Sequence, residues 1–400
     1  MDPYISEWLN LLIRWLHVVA AIAWIGGSFY FIALDYSLRP PRDPRDSERG
    51  VGGESWEIHG GGFYRVEKFR VAPESLPEKL NWFKWEAYTT WLSGFALLVL
   101  LYYLNAGTYL IDRSVADLAP LVAVGISIGI LVVSWFAYDA LCRLLEGHDR
   151  LLAVILAVIV IAVSYGTSLL FASRAVYIQV GAMIGTWMVA NVFFAIIPGH
   201  WDLVRAKQAG RAPDPAPGLR GKQRSIHNNY LTLPAIFTML SNHFPMTHGH
   251  EYGWLILVVI SGIAVAVRHF FNLRHQGRTI WAIPLGAAAA TVVLAVAIAP
   301  ASPASGGDRA TGSPVPFADV QAIIEVRCQT CHSGQPTYEG FAAPPMGIIF
   351  DTPEQIQSQA ERIEQVAVTT EVMPLGNVTG MTQEERDTLR AWIRQGAKLD

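Results

Sequence analysis

Residues 327–334 read RCQTCHSG and contain C-x-x-C-H, formed by Cys328, Cys331 and His332. At this spacing two thiols attach a haem covalently while the following imidazole takes the iron. A structural zinc site would need further Cys or His ligands, and none follows His332. The sixth iron ligand is expected to be a methionine, which raises the potential of the bound iron. Met373 in EVMPLGN and Met346 in PPMGIIF are the two rivals. Met373 is preferred, because a Met-Pro pair leading into a last helix resembles the cytochrome c pattern; Met381 is a more distant third and packs behind the helix cap. Such a haem carries one electron and catalyses nothing, so the chemistry that feeds it lies elsewhere in the chain.

Ionisable groups inside a bilayer are costly and are functional candidates by default. His17, in RWLHVVAAIAWIGG, and His243 belong to one layer of histidines together with His248 and His250. These imidazoles either ligate an internal b-type haem, with His17 and His243 as its ligands, or make helix-to-helix hydrogen bonds; His248 and His250 lie in a solvated loop or touch the haem module. A second layer, at the other face, holds His59, His200, His227, His269 and His275. Around His59 the chain is dense in aromatic rings and charges: Glu57, three glycines, Arg65 and Lys68. Rings to stack on, cations to neutralise and a His or Glu to take protons suit a flat, anionic, nitrogen-rich substrate. In the same layer His227 and Asn228 enter the membrane, and Arg268, His269 and Asn272 leave it, so these groups are candidates for one pocket. The bland alternative is an interfacial aromatic belt with topogenic Lys and Arg.

The elements that must position these groups follow from composition. The 400 residues are 52% hydrophobic and 16% charged, against about 25% charged in soluble proteins. Apolar runs that can cross about 30 Å of hydrocarbon occur at about 8–34, 87–104, 118–138, 151–171, 175–197, 230–244, 253–270 and 280–299. The expected fold class is therefore all-α, a polytopic membrane bundle of about eight transmembrane helices. The sixth run, YLTLPAIFTMLSNHF, is short and contains Pro234, so its helix begins back at His227 or is irregular. The first run has no basic leader and no small-residue cleavage site, and is expected to be retained.

Alternate loops are rich in Arg and Lys, including Arg39–Lys84, Arg143, Arg150, Arg205–Arg224 and Arg268–Arg278, whereas the intervening loops hold only Arg113 and Arg174. By the positive-inside rule both chain ends lie outside the cytoplasm. The three cysteines, with Cys142 alone in an apolar stretch, imply no disulfide framework. Three parts are expected: an integral membrane catalytic domain over 1–299, with a long cytoplasmic loop at about 35–86; a Pro/Gly/Ser-rich linker over 300–316; and a small class I-like cytochrome c domain over 317–400. In the last, FADVQAIIEVRC delivers the cysteines from a helix, and Thr382 with Glu385 forms a capping box before the final helix.

GESWEIHGGGFYRVEKF, WFKWEAYTTWLSGF, IHNNYLTLPAIFTMLSNHFP and VMPLGNVTGMT, in this order before and around a terminal C-x-x-C-H module, resemble the bacterial membrane-bound urate oxidase (urate hydroxylase) family with a fused cytochrome c. The resemblance implies oxidation of urate to 5-hydroxyisourate, with electrons passing to one covalent haem c and onward to a soluble cytochrome or terminal oxidase, without peroxide. It implies an inner-membrane protein with both the N-terminus and the cytochrome domain in the periplasm; nucleic acid is not an expected partner. The residue reading adds His59 and Glu57 as proton acceptors, and Arg65, Lys68, His227, Asn228 and His269 as substrate contacts. The competing expectation is a quinol-oxidising or other haem-containing membrane electron-transfer protein.

Overall fold

A computed structural model describes residues 2–299, 314–339 and 341–399; most of the linker expected at 300–316 therefore lies outside the described residues. The first part is a bundle of long helices. Helix α1 (Pro3–Ser37) starts at Asp2, whose carboxylate accepts the Tyr4 and Ile5 amides, an ordinary N-cap. Helix α2 (Trp85–Leu98) packs along α1 and loosens into a π turn over Val99–Tyr103. Then come α3 (Pro120–Leu144), α4 (Asp149–Ser168) and α5 (Ser173–Gln208). Within α5 a π turn covers Val192–Ile196 immediately before Pro198, where a ring without an N–H disturbs the i to i−4 ladder. Helices α6 (Ala216–Leu240), α7 (Gly253–His275) and α8 (Ala282–Ala297) complete the bundle.

All eight apolar runs fall on helices, and five of these, α1, α3, α4, α5 and α7, are long and apolar enough to cross a membrane. Of these, α1 turns Trp15 outward and α3 turns Leu121, Val133 and Phe136 outward, each more than half exposed; such apolar surfaces are compatible with a hydrocarbon surround. The three others are shorter or more polar. Helix α8 has 16 residues, α2 has 14 before its π turn, and the first half of α6 carries Arg220, Lys222, Arg224, His227, Asn228 and Asn229. Helix α6 also starts well before His227 and runs through Pro234 without a break. It sits among α1, α5 and α7, so neighbouring protein rather than lipid surrounds its polar face.

The long connection at 35–86 departs from all-α. It contains a hairpin of β1 (Val51–His59) and β2 (Gly62–Phe69), antiparallel with His59 opposite Gly62. Its two-residue tip is Gly60-Gly61, both at positive φ, +57° and +81°, which a mirror-image hairpin turn requires and glycine supplies without strain. The hairpin sits at the C-terminal end of α1: Tyr30 donates to Glu57 at 2.7 Å, and Lys68 pairs with Asp35, which also holds Lys222 of α6 at 2.8 Å.

The C-terminal unit has its own core, built by Phe317, Val320, Ile324, Ile356, Leu389 and Trp392. Its first helix, α9 (Phe317–Arg327), packs against its last, α10 (Gln383–Arg394), which opens on the expected Thr382/Glu385 capping box. Met381 is buried in this core. The unit rests on the end of the bundle opposite the hairpin, where Thr108 and Tyr338 share a hydrogen bond of 2.7 Å.

Candidate functional site

Helix α9 ends at Arg327 and hands its last turn to the motif: the Cys331 and His332 amides both return to the Cys328 carbonyl, at 3.1 and 2.9 Å. His332 Nδ1 lies 3.1 Å from the Ile348 carbonyl. That contact fixes the tautomer with the proton on Nδ1 and leaves Nε2 free to ligate a metal. Burial pulls the His332 imidazole below its ordinary range and pushes the Cys328 thiol up to about 12, so at neutral pH the ring is uncharged and the thiol protonated.

The loop bearing Met373 is tied to this motif from two sides. Arg386, 4% exposed, donates to the carbonyls of Met373, at 2.9 Å, and Ala367. Arg327 donates to the Thr379 carbonyl and to Glu385, at 3.0 Å. Met373 packs partly buried on the core of the unit, whereas Met346 is 80% exposed with its sulfur 3.6 Å from Arg362. Cys328, Cys331, His332 and both methionines line one cavity of about 1160 Å³. The donor set and the volume fit a covalent haem. Cys328 and Cys331 would attach it, with His332 and the better-anchored Met373 on the iron; when bound, such a group supplies one-electron transfer.

The opposite wall of this cavity belongs to the bundle and includes Thr108, Arg174, Asn242, His243 and His248. Arg174 stands at the start of α5 with its guanidinium 5.6 Å from the Tyr109 ring centre. Asn242 donates to the Tyr102 hydroxyl at 3.3 Å, and His248, 2% exposed, keeps Nδ1 3.5 Å from the Ser173 hydroxyl. Three atoms of this wall are buried without a hydrogen-bond partner: Arg174 Nε, Asn242 Oδ1 and His248 Nε2. Burial, reinforced by the Arg174 charge, pulls His248 down to about 4, so its imidazole is neutral at physiological pH.

At the other end of the bundle the expected substrate contacts are dispersed. His59 is exposed at the hairpin tip and Glu57 is hydrogen-bonded to Tyr30. Arg65 is held by Asp46, by Glu54 at 2.7 Å and by Glu67 at 3.2 Å, and Lys68 by Asp35. These cations are already neutralised by the protein's own carboxylates. His227 faces α3, with Nδ1 2.8 Å from the Tyr138 hydroxyl; Asn228 binds Asn191 at 2.9 Å; and His269 bonds the Tyr230 hydroxyl at 2.7 Å on another side of α6. Between them, Asn229 accepts from Arg268 at 3.0 Å and from Asn272 at 2.9 Å, and Arg268 Nη2, Asn229 Nδ2 and Asn272 Oδ1 are buried without partners.

His17 and His243, named together as ligands of an internal haem, are not brought together in one cavity. Both nitrogens of His17 already face protein atoms, Nδ1 the Thr90 carbonyl at 2.9 Å and Nε2 the Met239 sulfur at 3.3 Å. The ring lies so close to Gly94 that a Cβ there would stand 2.8 Å from Cε1. His243 is on the wall of the cavity beneath the C-terminal unit. The His17 site as built does not fit a haem, and the hydrogen-bonding alternative describes it.

The grouping of Arg174, Asn242 and His248 on one wall is not legible in the sequence, although one signal is present. Arg174 breaks the charge pattern as one of two basic residues in loops otherwise free of them, and a cation that does not serve topology invites another role.

A search of curated proteins and a search of solved structures each found no match. A family model described as Urate oxidase N-terminal matches residues 3–299, which takes in the whole helical bundle and hairpin and stops before the C-terminal unit. The chain belongs to the urate oxidase N-terminal family.

Proposed function

We propose that this chain oxidises urate to 5-hydroxyisourate within the membrane and passes the electrons to a c-type haem held by Cys328, Cys331, His332 and Met373, and from there to a respiratory acceptor, without forming peroxide. The observation that carries this reading is the shared cavity. Side chains of the bundle assigned to the urate oxidase family form one wall, and the C-x-x-C-H motif and Met373 form the other. A substrate domain and an electron exit packed against a single space need no diffusing carrier between them. The overall reaction balances as urate and water giving 5-hydroxyisourate, two protons and two electrons. The electrons leave one at a time, so a downstream one-electron carrier must reoxidise the module between them. In this placement both chain ends face the periplasm of a bacterial inner membrane, as the basic loops favour.

The test is to add urate under argon to membranes containing the protein and to follow the α-band of the c-type haem. Reduction by urate, with no hydrogen peroxide on later exposure to air, is expected, and replacement of Cys328 and Cys331 by Ala should remove the band. Reduction by a quinol but not by urate would overturn the proposal in favour of a quinol-oxidising protein.

A further inference from the structure

We infer that urate binds at the wall formed by Arg174, Asn242 and His248, directly beneath the C-terminal unit, and not at the hairpin end of the bundle; this rests on the function proposed above. Three residues that line this one space each carry a buried side-chain atom without a hydrogen-bond partner, namely a guanidinium donor at Arg174 Nε, an amide acceptor at Asn242 Oδ1 and an imidazole nitrogen at His248 Nε2. A buried polar atom without a partner is costly, so three together in the wall of one cavity mark a place where something polar is meant to sit. Their chemistry is complementary to a purine trione monoanion: a cation for its charge, a carbonyl for a ring N–H, and a neutral base for a proton. The cavity also exceeds the 300–1,000 Å³ typical of a single small-ligand pocket, at about 1160 Å³.

Distance separates the two ends. Lys222, which holds Asp35 beside the hairpin, and Leu240, two residues before the cavity residue Asn242, are both on α6. At 1.5 Å rise per residue they lie roughly 30 Å apart along the helix. A substrate at the hairpin would need a relay across that span, and the His17 site does not supply one. A substrate on Arg174 lies in the same cavity as Cys331 and His332, and electron tunnelling falls steeply with distance.

The roles follow from position. Arg174 holds the urate monoanion, its guanidinium steadied over the Tyr109 ring. Asn242 orients the ring plane by accepting an N–H. His248 Nε2 accepts the proton released from urate nitrogen as the first electron departs. The second electron and proton leave as water adds its oxygen to C5, which conserves atoms and charge: urate and water become 5-hydroxyisourate, two protons and two electrons delivered to the one-electron carrier.

The experiment uses full-length, detergent-solubilised protein, reduced beforehand with dithionite under argon so that no turnover can occur. Binding of radiolabelled urate is measured by equilibrium dialysis for wild type, R174Q, R174K, N242A, H248Q and R268Q, with haem content and midpoint potential recorded for each. R174Q is expected to weaken urate binding at least tenfold, and H248Q and N242A several-fold, with R174K intermediate, R268Q within twofold of wild type, and the midpoint potential unmoved. Loss of binding in R268Q with none in R174Q would move the site to the Asn229, Arg268 and Asn272 cluster and overturn the inference. A shifted midpoint with unchanged affinity in R174Q would likewise overturn it, assigning Arg174 to the haem. If wild type itself neither binds urate nor is reduced by it, the function proposed above fails, an outcome distinct from either of these.

Discussion

At the scale of single residues, partners decide what a charge is for. Arg65 looked like an anion-binding cation among aromatic rings, yet Asp46 and Glu54, 4% and 3% exposed, close around it with Glu67. A guanidinium so engaged ties the hairpin to the short helix Pro44–Glu48 rather than waiting for a ligand. Arg65→Ala would remove the cation that bridges two buried carboxylates, leaving Asp46 to Arg49 at 2.8 Å and Glu54 to Arg42 at 4.0 Å alone, an unfavourable arrangement. The expected outcome is a lower thermal midpoint and faster protease cleavage between residues 40 and 80, read by limited proteolysis and mass spectrometry; cleavage at the wild-type rate would refute the structural role. Arg174 is the converse, a cation lining a cavity with one buried nitrogen unpartnered.

Among the elements, α10 shows how a helix end is made to serve a site. Thr382 and Glu385 cap it reciprocally, and the same Glu385 receives Arg327, which reaches on to the Thr379 carbonyl in the loop after Met373. Burial pushes the Glu385 carboxyl up, but the Arg327 guanidinium and the Thr382 amide outweigh it and hold it below its usual range. A carboxylate depressed in the folded state contributes stability above its unfolded pKa of about 4.3 and loses it as pH falls through the folded value. The thermal midpoint of the C-terminal unit, followed at the Soret band of the proposed haem, should therefore be flat in this respect above about pH 5 and fall below about pH 4, and Glu385→Gln should flatten that fall. An unchanged acid limb in the variant would show that other carboxylates govern it.

For the whole molecule, the decisive feature is how the C-terminal unit seats on the bundle. Two glycines make the contact close. A Cβ on Gly249 would stand 2.6 Å from Thr370 Cβ and Val372 Cγ1, and one on Gly376, at φ +56°, would stand 2.8 Å from the Ile111 carbonyl oxygen. Gly249→Ala, on the bundle side and pressed against Thr370 and Val372, should lift the unit and slow reduction of the proposed haem by urate about tenfold or more in anaerobic stopped flow, while reduction by ascorbate and the midpoint potential stay unchanged. Equal rates with urate in variant and wild type would show that the interface is not on the electron path.

The sequence by itself determined the parts. Hydropathy placed the eight helical runs, because burying or lipid-solvating about twenty apolar side chains leaves the backbone no choice but to bond within itself. The C-x-x-C-H spacing and the capping box are local, and the structure keeps both. It did not determine the hairpin, since glycines at 60 and 61 inside a long connection signal a turn only once two strands are known to flank it, nor the extra turns of α6, whose polar start is tolerated because α1, α5 and α7 enclose it. What only the tertiary structure decided is which polar groups are spent and which are free. Arg65, Lys68, His17 and His227 are each engaged by residues more than 10 positions away, and Arg174 is brought to one wall with the distant segment that holds Asn242 and His248. Pairing is a property of three-dimensional neighbours, and a string of residues does not contain it.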